Sequence, residues 1–280
     1  MLGPARGVPA ALGLGMCVLM AASPDALAFK QVPVNTRLAN KGSVIKRYVK
    51  APTGDPESKK QYEDYFRQYF FPALMQSQAA ALGEVGELRY ALFRDYIWQA
   101  DSTVQRELTA LAYAYATRVL GNPADYHPTV AYNAVLVLGG LDLQYGSNAR
   151  NNARPSRPLP RANEELCKVV AESIEGKRPV SLQAGALVGL ERHAKFFRFL
   201  PGAQRNATFR ALQSVAAQNE FPEGIDDDVR AWLKRLACRG LANIGVPGPG
   251  GAIPKAIIGV VGDETLDLDK RCEVAGMLAD

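Results

Sequence analysis

Histidine is almost missing from this chain: its 280 residues carry only His127 and His193. Neither belongs to a His-Glu-x-x-His pair, which excludes the usual zinc-peptidase centre. Cysteine is nearly as scarce. Cys17, Cys167, Cys238 and Cys272 form no Cys-x-x-Cys pair, so neither a zinc knuckle nor a disulfide framework is written here. The three later cysteines read as small buried apolar residues, with a single Cys238–Cys272 bridge as the open alternative. Gly-x-Ser-x-Gly is absent. The glycine-rich run 245–251 carries Pro247 and Pro249, which lack the amide donors that a phosphate needs. Asp226, Asp227 and Asp228 follow Glu223 without the alternating acids of a calcium loop, and they stand where a helix cap and dipole favour acids. No cofactor and no metal are expected, and no motif compels a reaction.

Long apolar runs are also lacking, apart from one near the N-terminus. Val8 to Ala22 is uncharged and short of the ~20 residues that span a bilayer. Arg6 precedes it and Ala26-Leu27-Ala28 follows, the pattern of an export signal cleaved after Ala28. Met16 before Cys17 does not suit a lipidation site. The expectation is therefore a signal peptide at 1–28 and an extracytoplasmic chain, periplasmic or secreted, from Phe29. The formal charge of +5 is unevenly placed. Residues 29–60 hold Lys30, Arg37, Lys41, Lys46, Arg47, Lys50, Lys59 and Lys60 against Asp55 and Glu57, so the remainder is close to neutral. Pro33, Gly42, Pro52 and Gly54 interrupt this stretch, and 29–54 reads as a basic, extended, irregular arm.

What is abundant is helical periodicity. Asp55-Pro56 is a helix start. Tyr62, Tyr65, Phe66, Tyr69 and Phe70 then follow at helical spacing up to a break at Phe71-Pro72. With a second helix over about 85–99, these make an N-terminal helical pair at 55–100. Ser102-Thr-Val-Gln105 fits a capping box, and Gly121 with Pro123 fits a stop. Val104, Leu108, Leu111, Tyr115 and Val119 give that helix one buried face. Pro128 opens its partner. After a long loop at about 142–162, Asn163 is expected to cap a helix that Gly176 ends. Helices at about 180–197, 203–218, 227–243, 254–261 and 268 onward follow, with almost no sheet.

The helices repeat a signature. Val130-x-x-x-Ala134-x-x-x-Leu138-Gly139-x-Leu141 returns around Leu190, Leu241 and Leu278, with 52 residues from 138 to 190, 51 from 190 to 241 and 37 from 241 to 278. Small residues where helices cross, a β-branched residue near the start and a glycine stop resemble the HEAT and armadillo class of helical repeats. The resemblance covers 101–280 and departs in period, which exceeds the usual ~40–47 residues. It implies an all-α, right-handed α-solenoid of stacked antiparallel hairpins that binds partners, and it carries no catalytic residues. Val274, Met277 and Leu278 would lack a following unit, so the last repeat reads as incomplete at Asp280.

Arg150, Arg154, Arg157 and Arg161 crowd the 142–162 loop with no acid between Asp142 and Glu164. Guanidinium forks suit carboxylate, sulfate or phosphate. With Lys46, Arg47 and Lys50 of the arm, they are the candidate partner-binding residues. The leading expectation is an exported scaffold for a protein or acidic polymer. One alternative is an enzyme on a helical solenoid using His127 or His193 as general base. Another is nucleic-acid binding, which requires a continuous basic track. His127 before Pro128 reads as a helix cap, and His193 as a solvated helix end.

Overall fold

The polypeptide is almost wholly helical in the computed structural model, which describes residues 29–147 and 153–278. The export signal expected at 1–28, together with Arg150, lies outside the described residues. Among the described residues no helix is long and apolar enough to cross a membrane.

The N-terminal stretch corrects the expectation of an irregular arm. Residues 30–35 are extended, but a 3-10 turn (Thr36–Lys41) runs directly into helix α1 (Gly42–Lys50). Ile45 and Val49, four apart, are buried, and that apolar stripe holds the basic segment on the body. Backbone bonds tie down both ends: Lys30 N–H to the Asp125 carbonyl at 2.7 Å and Asp101 N–H to that of Val49 at 2.7 Å.

Helix α2 (Pro56–Asp64) is capped by Asp55, whose carboxylate accepts from the Glu57 and Ser58 amides. Its continuation, Tyr65–Phe70, widens into a π-helical turn in which Phe71 N–H bonds to the Phe66 carbonyl. The widened turn carries the chain past Pro72, which cannot donate, into the short α3 (Phe71–Ala73). The break expected at Phe71-Pro72 thus becomes a bulge. Helix α4 (Ala79–Ala91) ends in a second π turn, Leu92–Tyr96. The two bulges face one another: Tyr96 sits edge-on to Phe66 and Phe70 at 5.2 and 5.4 Å, and its hydroxyl lies 2.8 Å from that of Tyr65.

Four helical pairs follow. They are α5 (Ser102–Gly121) with α6 (Pro128–Gly140), α7 (Pro160–Ile174) with α8 (Val180–Ala194), α9 (Gly202–Ala216) with α10 (Asp227–Asn243), and α11 (Ala252–Val261) with α12 (Leu268–Gly276). The pairs also touch each other in order. Helix α8 packs on α6 and α10, α10 on α12, α7 on α9, and α9 on α11, while α4 packs against α6. Small residues set the closeness of the central crossing: a Cβ at Gly139 would stand 2.7 Å from the Gly189 Cα.

Helix ends agree with the sequence in part. His127 Nδ1 accepts from the Thr129 amide at 3.2 Å, and Asp226 accepts from the Asp228 amide at 2.8 Å. The cap of α5 is Asp101 rather than Ser102, and Gln105 reaches back to the Ile97 carbonyl at 2.8 Å. Helix α7 begins at Pro160, so Asn163 is a buried first-turn residue and not its cap. The long loop holds the only sheet among the described residues. Strands β1 (Asp142–Gln144) and β2 (Arg157–Pro158) pair antiparallel, with an isolated bridge from Ser147 to Arg154 beyond them.

Candidate functional site

Asp142 anchors the β1–β2 hairpin. Its side chain is wholly buried and takes a bidentate fork from Arg192 of α8, at 2.9 and 2.5 Å. Arg192 also donates to the Gly139 carbonyl at 3.2 Å. A charge this deep requires such a partner, and the pair pins the hairpin across the ends of α6 and α8.

The loop arginines divide by what they touch. The Arg161 guanidinium lies 4.1 Å from the Tyr113 ring centre. Arg157 lies 5.4 Å from the Phe199 ring, and Arg198, in the turn Phe197–Phe199 after α8, lies 4.7 Å from the same ring. Two guanidiniums therefore share one aromatic ring, and neither forms an ion pair among the described residues. Stacking removes rotamer freedom while leaving the planar donors unclaimed. Arg154 is exposed at the Ser147 bridge. Arg198 lies outside the loop in sequence and was not legible as a member of this cluster. Its adjacency to Phe197 and Phe199 was the available signal.

The arm's cations do not join this cluster as a set. Lys46 is committed to Asp95 at 2.9 Å and lies over the Tyr96 ring. Arg94, then Lys46, hold the Asp95 carboxyl well below its ordinary range. Lys46 is thus paired with an acid of its own chain, while its side chain stays about half exposed. Arg47 and Lys50 are exposed and form no ion pair among the described residues.

His193 is the largest departure from the sequence reading. It is fully enclosed, because α8 is covered by α6, α7 and α10. Its Nδ1 lies 3.2 Å from the Asn163 amide nitrogen, and that nitrogen donates to the Thr208 hydroxyl at 2.9 Å. Thr208 donates back to Asn163 Oδ1 at 3.1 Å. Burial first, and then the Arg192 charge, lower the His193 pKa to about 3. Cys167 Sγ stands 4.0 Å from the same Asn163 oxygen, and burial raises its thiol to about 12. Cysteine, histidine and asparagine thus meet, but as an uncharged buried network with no opening for a substrate. A thiol held protonated is also a poor nucleophile. Cys238 is buried and Cys272 exposed, both free, so the bridge between them does not form and Cys272 is not a core residue. No group of metal-binding side chains occurs among the described residues.

Open grooves remain as places for a partner. One of about 390 Å³ lies across α6 between α4 and α8, walled by Arg89 and Phe93 on one side and by Val188 and Arg192 on the other. Another, of about 680 Å³, lies between the extended 32–35 segment and α5, rimmed by Arg67 and Arg118. Comparison with known protein families, curated proteins and solved structures yields no match to this chain.

Proposed function

We propose that the chain is an exported helical-repeat scaffold that holds an acidic protein or polymer against the edge formed by Arg157, Arg198 and Phe199. The observation that carries this reading is the pair of guanidiniums braced on one ring with no carboxylate pairing them among the described residues. Arg154 and Arg161 extend the same edge along the hairpin and the first turn of α7. The ordered contacts of α4–α6–α8–α10–α12, with α7–α9–α11 beside them, support reading the helices as a solenoid of stacked hairpins; its right-handedness rests on the family resemblance alone. Such stacks serve as preformed surfaces that need little ordering on binding.

Export follows from the leader pattern at 1–28 alone. The nucleic-acid reading draws less support, because Lys46 pairs with an acid of its own chain and no continuous basic track links the arm to the hairpin arginines in the sequence. A general base is better supported at neither histidine: one caps α6 and the other is enclosed.

The test is titration of the chain from residue 29 with poly-glutamate at rising ionic strength, followed by crosslinking against an envelope extract. Arg157→Gln combined with Arg198→Gln is expected to weaken poly-glutamate binding by roughly tenfold or more. Binding to the intact chain should fade as the screening length falls from ~10 Å at 0.1 M salt to ~3 Å at 1 M. Lys46→Gln should change little. A double variant that binds as the parent does would overturn the assignment of the edge.

A further inference from the structure

We propose that the groove between α4, α6 and α8 is a separate binding site for an organic monocarboxylate carried on an apolar chain, with Arg89 as the carboxylate's partner. Its volume of about 390 Å³ lies within the ~300–1,000 Å³ of small-molecule sites. Phe93, Tyr132, Leu136 and Val188 make the lining mostly apolar.

The charge balance chooses the ligand. Arg192, at the α8 side, is cancelled by the bidentate Asp142. Arg89, at the α4 side, is half-buried, donates to the neutral Asn133 Oδ1 at 2.8 Å and pairs with no carboxylate among the described residues. Burial disfavours its charged form, lowering its pKa from the ordinary arginine value. A guanidinium has five donors and remains charged in proteins, so most of its hydrogen-bonding capacity here is unclaimed. Asn133 is itself buried and fixes the fork in place. The groove therefore carries one uncompensated positive charge beside an apolar floor. That fits a monoanion with a hydrocarbon body better than a phosphate or a polyanion.

The floor is built rather than incidental. The α6–α8 crossing at Gly139 and Gly189 brings the two helices together beneath it. A Cβ at Gly140 would stand 2.5 Å from the Phe93 ring, so the π turn after α4 closes down as a wall only because that residue is glycine. Trp98, half-exposed and 6.0 Å from Phe93, stands beside the same wall and supplies a natural reporter.

The experiment uses decanoate below its micelle concentration, followed by tryptophan emission and calorimetry, with acetate and 1-decanol as probes lacking the chain or the charge. Saturable binding of decanoate is expected, with little response to acetate. Arg89→Gln should weaken decanoate roughly tenfold or more while leaving decanol unchanged. Leu136→Glu, at a partly exposed floor position, should abolish binding with helix content and melting intact, and it carries the test if Arg89→Gln fails to fold. Arg67→Gln in the other open cleft should bind as the parent does. The inference is overturned if the parent shows no saturable binding, if neither groove substitution matters, or if Arg67→Gln is the variant that loses decanoate.

Discussion

The N-terminal region and the body of this molecule solve helix packing in opposite ways. From α1 to α4 the helices are held apart by rings: Tyr62, Tyr65, Phe66, Phe70, Phe71 and Tyr96 are buried against one another at centroid distances of 5–6 Å. In the body the helices are brought together by missing side chains, with Gly139 on Gly189, Gly185 under Tyr132 and Gly240 under Leu212. Rings fill the space left by two π bulges that change the helical register. Glycines demand regular helices that meet at fixed points. The first region thus relies on large individual side-chain contributions, and the second on close helix approach at glycines, against backbone at Gly139 and against side chains at Gly185 and Gly240.

Substitution should separate these modes. The largest effect is expected in the aromatic block: Phe66→Ala should cost about 4 kcal/mol in chemical denaturation. A loss below about 1 kcal/mol would mean the rings are not what holds the cap. Next is the pin between the hairpin and the body. Arg192→Gln should cost about 3 kcal/mol, at the low end for a broken buried pair because Arg192 is itself one-third exposed. Adding Asp142→Asn should recover part of it, and strict additivity of the two would contradict direct coupling.

The glycine contacts come third. Gly139→Ala should destabilise by about 2 kcal/mol, since the new methyl meets backbone rather than a movable side chain. In α4 the same change has the opposite sign. A Cβ at Gly86 meets nothing within 4 Å, so Gly86→Ala should stabilise by roughly 0.5–1 kcal/mol. Equal signs at the two positions would erase the contrast.

Acidity offers a comparable handle on the body. His193 titrates at about 3 when folded against 6.5 in an unfolded chain. Below pH 6.5 the unfolded state binds a proton that the native state refuses, so stability falls as pH falls towards 3. Between pH 7.5 and 5 this amounts to about 2 kcal/mol. Melting curves across that window should flatten in His193→Asn, and an unchanged slope would place the titration elsewhere. The ion pair of Lys46 with Asp95 is exposed on the lysine side, and its removal should shift stability by under about 1 kcal/mol.

Local signals carried far in this chain because many helix ends are short-range chemistry. Asp55 with Pro56, His127 with Pro128, Asp226 and Gly176 mark their boundaries through groups within three residues of the backbone they cap. Periodic apolar faces were equally legible, and with them the all-α class. The misread N-terminal stretch shows where this stops. Ile45 and Val49 are the two buried positions in a lysine-rich run, and their burial depends on α2 and the Leu92–Gln99 segment, which arrive later in the chain. Likewise the loop arginines were visible as a cluster, but not that Arg198 would join them on one ring or that Lys46 would be spent on Asp95.

The sequence by itself determined helices, many of their ends and the small residues that let them cross, because each rests on contacts within a turn or two. Tertiary structure alone decided which polar groups are buried and which charges are cancelled. His193 is neutral because three helices enclose it. Asp142 is tolerable because Arg192, fifty residues on, reaches it, and Arg89 is left uncompensated because no acid shares its groove. Desolvation and pairing depend on what surrounds a group in space, and no spacing along the chain encodes that.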